Sequence, residues 1–441
     1  ISDNTNPLMQ FFYPRSVSVD NNPGSQNFGN IYVSESAAGT LPGRATQDGI
    51  YMLNAALQDF SNQGATAYTG GVSWITNSNS SPMRLSAGED GNVYICDWSD
   101  AHPGVWKMDP SNPTAAFKPV FDGLTKQTSG LSTYNNVNIH GSISHCYSTG
   151  TGDNTKLFTF DEDYIDAVAT NSGNLLQYNI GTLASPVQTA PSIVYNDGLY
   201  GNLQQNKNSC IAPDARGGWW ISQYRAADTD LIPSLIHVNA SGVVDFNSGK
   251  TPTLIENSYT AGLAVTTDGK KLAMGCNNEV KIFDVIFSEA GVPTLTRLHS
   301  IKPAMGANTQ GIAFDIAGNV YVVSEGDKRL GIWALPKAVN SSTTRSAIQI
   351  HTYIFDGLNE IQNAADYVSV FPNPVNDIVN IQCKGIGMES YQLFDLNGQL
   401  ISGEKQTSDF VSISTTDLTP GMYILKIRTS AGLVVKRIIK K

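Results

Sequence analysis

Over the first three quarters of the chain, apolar residues come in short runs of about four to six, set between Gly, Asp, Asn and Ser. Such runs predict strands joined by tight turns. One order of pieces recurs: a small apolar strand, an Asp/Gly turn, an aromatic-rich strand, a loop and a third strand. It reads PRSVSVDNN, FGNIYVSES and DGIYMLN from Pro14, then PMRLSAGEDGNVYICDWSDAHPGVWKMDP from Pro82. Looser copies follow as HGSISHCYS, KLFTFDED and GNLLQYN from His140, and as SCIAPDARGGWWISQYR with SLIHVNASG from Ser209. The last two are GLAVTTDGKKLAMGCNNEVKIFDV from Gly262 and GIAFDIAGNVYVVSEGDKRLGIWAL from Gly311. The segments KPVFDG, PSIVYN, PTLIEN and TRLHSI each offer a further strand between copies.

Six copies of a four-stranded antiparallel unit, with no crossover helices, predict radial repetition, which protects sheet edges that would otherwise be open. The turns Asp90-Gly91, Asp268-Gly269 and Gly318-Asn319 supply the left-handed backbone that tight hairpins require. The expected architecture is all-β: a six-bladed β-propeller over residues 1–355, a polar linker at 356–366 (DGLNEIQNAAD) and a small β-sandwich over 367–441. A large sandwich or a β-helix is the competing architecture. With GNVY followed by an acidic or polar residue, the repeats resemble the NHL and related six-bladed propeller families. That resemblance implies a fold and no single activity.

The remaining stretch alternates differently. DIVNIQC, SYQLFDL, MYILKIR and GLVVKRI read as half-buried strands, and Asn397-Gly398 between LFDL and QLIS is a hairpin signal. About seven short strands in so few residues predict a small sandwich. From FPNPVND through LFDLNGQLI and LTPGMYILKI to VVKRIIKK, this segment resembles the type A C-terminal sorting domain of the type IX (Por) secretion system of Bacteroidetes. The resemblance implies passage of the inner membrane on a signal peptide, then recognition by the type IX machinery at the outer membrane. Release or surface attachment follows. A first residue of Ile rather than Met fits a processed precursor or an expression product equally. A generic adhesive sandwich is the alternative for the tail.

Composition narrows the function classes. The net charge is −10, with charged residues at 15% against about a quarter in an average globular protein. An acidic balance argues against nucleic acid as a partner, and no run approaches the roughly 20 apolar residues of a transmembrane helix. The five cysteines, Cys96, Cys146, Cys210, Cys276 and Cys383, are widely spaced without C-x-x-C and read as buried small hydrophobes. No nucleophile elbow, P-loop, H-E-x-x-H or Rossmann fingerprint is present.

Candidate chemistry then rests on geometry. The heads of the first strands, expected to ring the channel mouth, are Arg15, Arg84, His140, Asn208, Thr260 and Gln310. Donors of this kind suit an anionic group or a sugar, with Arg15 and Arg84 dominant. Without a ligand they would bond to one another and to water, with Glu35 or Asp97 as partners. The ends of the second strands form a second set: Glu35, Asp97, Asp161, Gln223, Asn277 and Glu325. Oxygen ligands from several blades suit calcium, as in lactonase-like propellers, although the ligand motifs of that family are missing here. The acidic loop DEDYID (161–166) lacks the EF-hand spacing, and the pairs Asp97/Asp100 and Asp161/Asp163 raise glycoside hydrolysis only if they face each other. His140 and His145 fall on opposite strand faces. Trp74, Trp98, Trp219, Trp220, Tyr134 and Tyr224 are candidate sugar-stacking aromatics, although blade-to-blade packing also consumes aromatics and is the expected role of Trp106, Trp219 and Trp333 at strand positions. Two readings follow: a secreted or surface propeller binding a glycan or protein ligand, or an extracellular hydrolase with its site at the channel mouth.

Overall fold

The computed structural model describes residues 7–333 except 56, 60–62, 75–80, 99–103, 121–124, 127–130, 135–136, 141–142, 162–173, 188–190, 197–208, 260 and 303–308. It also describes 367–441 except 385–386, 396–399, 406–407 and 430–431. The chain divides into two compact units, Ile1–Ile354 and Phe355–Lys441. The expected linker at 356–366 lies outside the described residues.

The first unit is a ring of six antiparallel sheets. Their innermost strands are Pro14–Val19, Arg84–Ala87, Ile143–Thr149, Cys210–Pro213, Leu263–Val265 and Thr309–Phe314. Each pairs outward with the strand that follows it, in the order of a meander. Second strands such as Ile31–Glu35, Val93–Asp97 and Val320–Ser324 are buried at every position, because a blade is covered on both faces by its neighbours. Among the described residues the only helices are three-residue 3-10 turns.

Six apolar clusters, one between each pair of successive blades, make the ring continuous. Tyr32 and Met52 meet Leu85 and Ile95; Tyr94 and Cys96 meet Cys146 and Leu157; Phe160 meets Ile211 and Ile221. Trp220 meets Leu263 and Leu272, and Ala273 meets Ile312 and Val322. The sixth returns to the start, with Tyr321 and Val323 on Val17, Val33, Met9 and Phe11. The N-terminal segment closes the circle in hydrogen bonds as well. Gln10 bridges Arg329 on the outer edge of the sixth blade, and Phe11 N donates to Lys328 O at 2.9 Å.

The recurrent GNVY has a physical cause. In the sixth blade the Asp315 carboxylate accepts from Asn319 N (2.9 Å), Asn319 Nδ2 (2.7 Å) and the Tyr321 hydroxyl (3.1 Å). In the second, Asp90 accepts from Asn92 Nδ2 and the Tyr94 hydroxyl, both at 2.8 Å. Each carboxylate ties the turn to the buried strand, and Gly91 (φ 77°) and Gly318 (φ 83°) provide the left-handed step.

Two strand expectations are corrected. PTLIEN is not a strand: Thr253 (φ 71°) and Glu256 (φ 73°) are left-handed, and the outer strand of the fourth blade is Val244–Asn247 instead. His140 does not head an inner strand. It ends an inserted three-stranded sheet, Thr125–Lys126, Leu131–Tyr134 and Val137–His140, and the third blade begins at Ile143.

The second unit is a sandwich of seven strands. Val368–Phe371, Ile378–Cys383 and Phe410–Ser414 form one sheet. Leu400–Lys405, Met388–Phe394, Gly421–Thr429 and Gly432–Lys440 form the other. Val379, Ile381, Leu393, Leu425, Ile427 and Val434 fill the space between them.

Phe11 is fully buried in the closing cluster and packs edge-on against Tyr51 at 5.6 Å. Phe11→Ala is expected to cost about 3–5 kcal/mol in denaturant unfolding. Ile286→Ala, at the end of the third strand of the fifth blade where the side chain is 60% exposed, is expected to cost under about 1 kcal/mol. Equal costs would show that closure is not where the ring is held.

Candidate functional site

A cavity of about 730 Å³ runs along the axis of the first unit, lined by the inner strands of all six blades. Loops that follow those strands form its rim, among them Asn21–Pro23, Gly88–Glu89 and Thr266–Thr267. Its walls reach as far as Ser16, Arg84, His145, Cys210 and Gly311, near the other ends of the same strands. Strand edges and small side chains make up most of this wall, so one long cation stands out.

That cation is Arg84, whose side chain is buried with 1% exposure. Its Nη1 donates to Ser144 O at 2.8 Å, in the inner strand of the third blade, and to Ser209 O at 3.4 Å, just before the inner strand of the fourth. Nε and Nη2 have no hydrogen-bond partner, and no carboxylate pairs with the guanidinium among the described residues. A guanidinium is charged at any ordinary pH, and burying an uncompensated ion costs on the order of several kcal/mol. Beside it, the Nδ1 of His145 accepts from Ile211 N at 2.8 Å. Burial, and then the Arg84 charge, hold the His145 pKa down at about 3. The ring is therefore neutral, and with Nδ1 accepting, the proton sits on Nε2.

Arg15 differs. Its Nη1 forms a 2.5 Å ion pair with Glu325, its Nε reaches Ser36 Oγ at 3.2 Å, and its guanidinium lies 4.5 Å from the Tyr13 ring centre. Among the described residues neither expected partner, Glu35 or Asp97, forms an ion pair with the two arginines, although the Glu35 charge does act on Arg15. Glu35 accepts from Phe12 N (2.6 Å) and Tyr13 N (2.5 Å), while Asp97 accepts from the Ser81 hydroxyl. Of the remaining first-set residues, Asn208 and Thr260 lie outside the described residues. Gln310 sits on the inner strand of the sixth blade, and its side chain is not among those described.

The residues of the second set have separate surroundings. Gln223 accepts from Arg225 Nη2 at 2.6 Å. Asp161 is buried at the end of a second strand. Asn277 is an exposed turn residue with φ 54°, where a short amide side chain tolerates the left-handed step. Among the described residues no group of three or more His, Cys, Asp or Glu side chains is placed to hold a metal ion. Asp100, Asp163 and most of DEDYID lie outside the described residues.

The aromatic expectation is also corrected. Trp74 and Trp220 are buried between blades, and Trp219, expected to pack there, lies against Phe158 at 4.4 Å while also lining the cavity. Trp98 packs on the second-to-third blade cluster. Tyr224 pairs with Tyr259 at 5.5 Å and stays half-buried, and the side chain of Tyr134 is outside the described set. All five cysteines are buried and free, as expected.

One constellation escapes sequence reading. His237 bridges two carboxylates, Nε2 to Asp214 at 2.5 Å and Nδ1 to Asp245 at 2.6 Å. Burial raises the Asp214 pKa, but the His237 bond and the Gly218 and Arg216 N–H groups outweigh it and hold the carboxyl below its usual range. Trp220 stands where the sixth blade has Tyr321, so Asp214 takes its partner from the third strand instead. Closed over by Trp220 and Phe287, His237 fastens the turn and does not meet the cavity.

Residues 369–441 match the family model of the secretion system C-terminal sorting domain, so the chain carries that domain. It directs export to the exterior or the outer-membrane surface through the type IX machinery. No helix among the described residues is long and apolar enough to cross a membrane. The chain has no match among curated protein sequences.

Among solved structures, PorZ of the type IX system of Porphyromonas gingivalis is 14% identical with a TM-score of 0.35; the alignment covers 97% of this chain and 51% of PorZ. This chain thus spans about half the length of that protein. The extracellular domain of a putative one-component system of B. thetaiotaomicron is 12% identical at 0.38, with 98% and 57% covered. The calcium structure of a Trichoderma reesei carbohydrate-active enzyme of family AA12 is 13% identical at 0.42, with 74% and 93% covered. All three TM-scores lie below 0.5, and these likenesses carry no functional argument.

Burial pushes the Glu35 carboxyl up to about 7, against the pull of the Tyr13, Phe12 and Ala37 N–H groups. The folded protein then keeps a proton that the unfolded chain releases from about pH 4.5 upward. Stability is therefore expected to fall as pH rises from about 4.5 to 7, by on the order of 3 kcal/mol, and to level off above. Denaturation midpoints at pH 5 and pH 8 measure the drop, and Glu35→Gln should flatten it. A variant with the wild-type slope would assign the pH dependence to other groups.

Proposed function

We propose that this exported propeller binds a small ligand in its central channel and performs no chemistry on it. The observation that carries the reading is Arg84, a buried cation on the cavity wall without a counter-ion among the described residues. A fold gains nothing from such a charge unless something else completes it. The hydrolase alternative needs two acids facing each other across bound sugar. Of the acids on the cavity wall, Glu89 accepts from Gly150 N at 2.7 Å and Asp214 is held by His237. A glycan fits the rim, where Thr151 and the amide oxygen of Asn21 are neutral polar groups.

Trp219 lines the same cavity and is a built-in reporter. Titration of the full chain with acidic and neutral glycans is expected to give a saturable change in tryptophan fluorescence, and that change should be lost in Trp219→Phe. A flat response across the whole panel would overturn channel binding. Separately, deletion of residues 369–441 in a type IX-competent host is expected to leave the propeller in the periplasm, as read by cell fractionation. Surface delivery of the truncated chain would contradict the export role of the tail.

A further inference from the structure

We infer that the channel site is built for a carboxylate, which the Nε–Nη2 edge of Arg84 grips side-on with two parallel hydrogen bonds. The inference rests on the channel-binding reading above and names its ligand class. The argument begins with which nitrogens are already used. Nη1 spends its hydrogens on Ser144 O and Ser209 O, carbonyls at the starts of the inner strands of two neighbouring blades, and these bonds fix the plane of the guanidinium. The two nitrogens left without partners, Nε and Nη2, are the adjacent pair whose N–H bonds point the same way, and both are closed to solvent, so a carboxylate reaches them only as neighbouring wall side chains give way. Two parallel donors match the two oxygens of a carboxylate.

Charge selects further. His145 is neutral and adds a donor at Nε2 without adding charge, since its Nδ1 is taken by Ile211 N. Arg15 is neutralised by Glu325. Arg84 therefore brings a single positive charge to this end of the cavity, enough to balance a monoanion. A phosphate or sulfate dianion would keep one charge unbalanced away from water. The same chemistry is found on sugar acids and on the free C-terminus of a peptide, so both sources are tested.

The experiment is calorimetric titration of the full chain with glucuronate, N-acetylalanine, glucose, inorganic phosphate and sulfate. Arg84→Lys serves as the informative variant, because lysine keeps the charge and loses the fork. The expected result is saturable binding of one or both carboxylates, with phosphate, sulfate and glucose at least tenfold weaker, and a loss of tenfold or more in Arg84→Lys. Preference for glucuronate over N-acetylalanine identifies a sugar acid, and the reverse identifies a peptide end. Phosphate or sulfate binding as tightly as the carboxylates overturns the inference, as does full affinity in Arg84→Lys with folding confirmed by circular dichroism. Glucose binding that ignores the substitution overturns this inference while channel binding stands, and silence from all five probes overturns both.

Discussion

A propeller blade is apolar on both faces, so no blade of this protein covers itself. Everything depends on the sixth blade meeting the first. Val17, Val33, Met9 and Phe11 receive Tyr321 and Val323, and the Gln10–Arg329 bridge completes the outer edge of the last sheet. Once the ring is shut, inner strands face the axis with their edges. The channel is thereby walled mainly by backbone and small side chains, and its chemistry is set by the few long ones that reach it.

How far this was legible in the sequence depended on whether the deciding contact was local. The blades could be read because their signal sits within one hairpin: Asp315, Asn319 and Tyr321 are close in sequence and bond to one another. The seven strands of the tail could be read for the same reason. His140 was misplaced because an inserted sheet carries the same alternation as a blade strand. PTLIEN failed at two left-handed residues that are not glycines. Trp219 was expected to pack between blades and does, whereas Trp74 and Trp220 were not told apart from surface aromatics, because burial between blades leaves no mark on a single strand.

The site was legible only in outline. Strand-head position picked out Arg15 and Arg84 together, but not the difference between them. That difference is made by Glu325, which lies 310 residues from Arg15 in sequence and beside it in space only because the ring closes. The same closure leaves Arg84 facing carbonyls and a neutral imidazole. His145, which sets the donor pattern next to it, gave no sequence signal beyond being a histidine on an inner strand.

The central claim is that Arg84 is kept for a ligand and not for the fold. Equilibrium unfolding of the ligand-free full chain and of its Arg84→Met variant tests it, with the propeller transition followed by tryptophan fluorescence. Removing an unbalanced buried charge is expected to leave the variant as stable as the wild type or more so. A loss of about 2 kcal/mol or more in the variant would make the bonds to Ser144 O and Ser209 O the reason for Arg84, and would contradict the account.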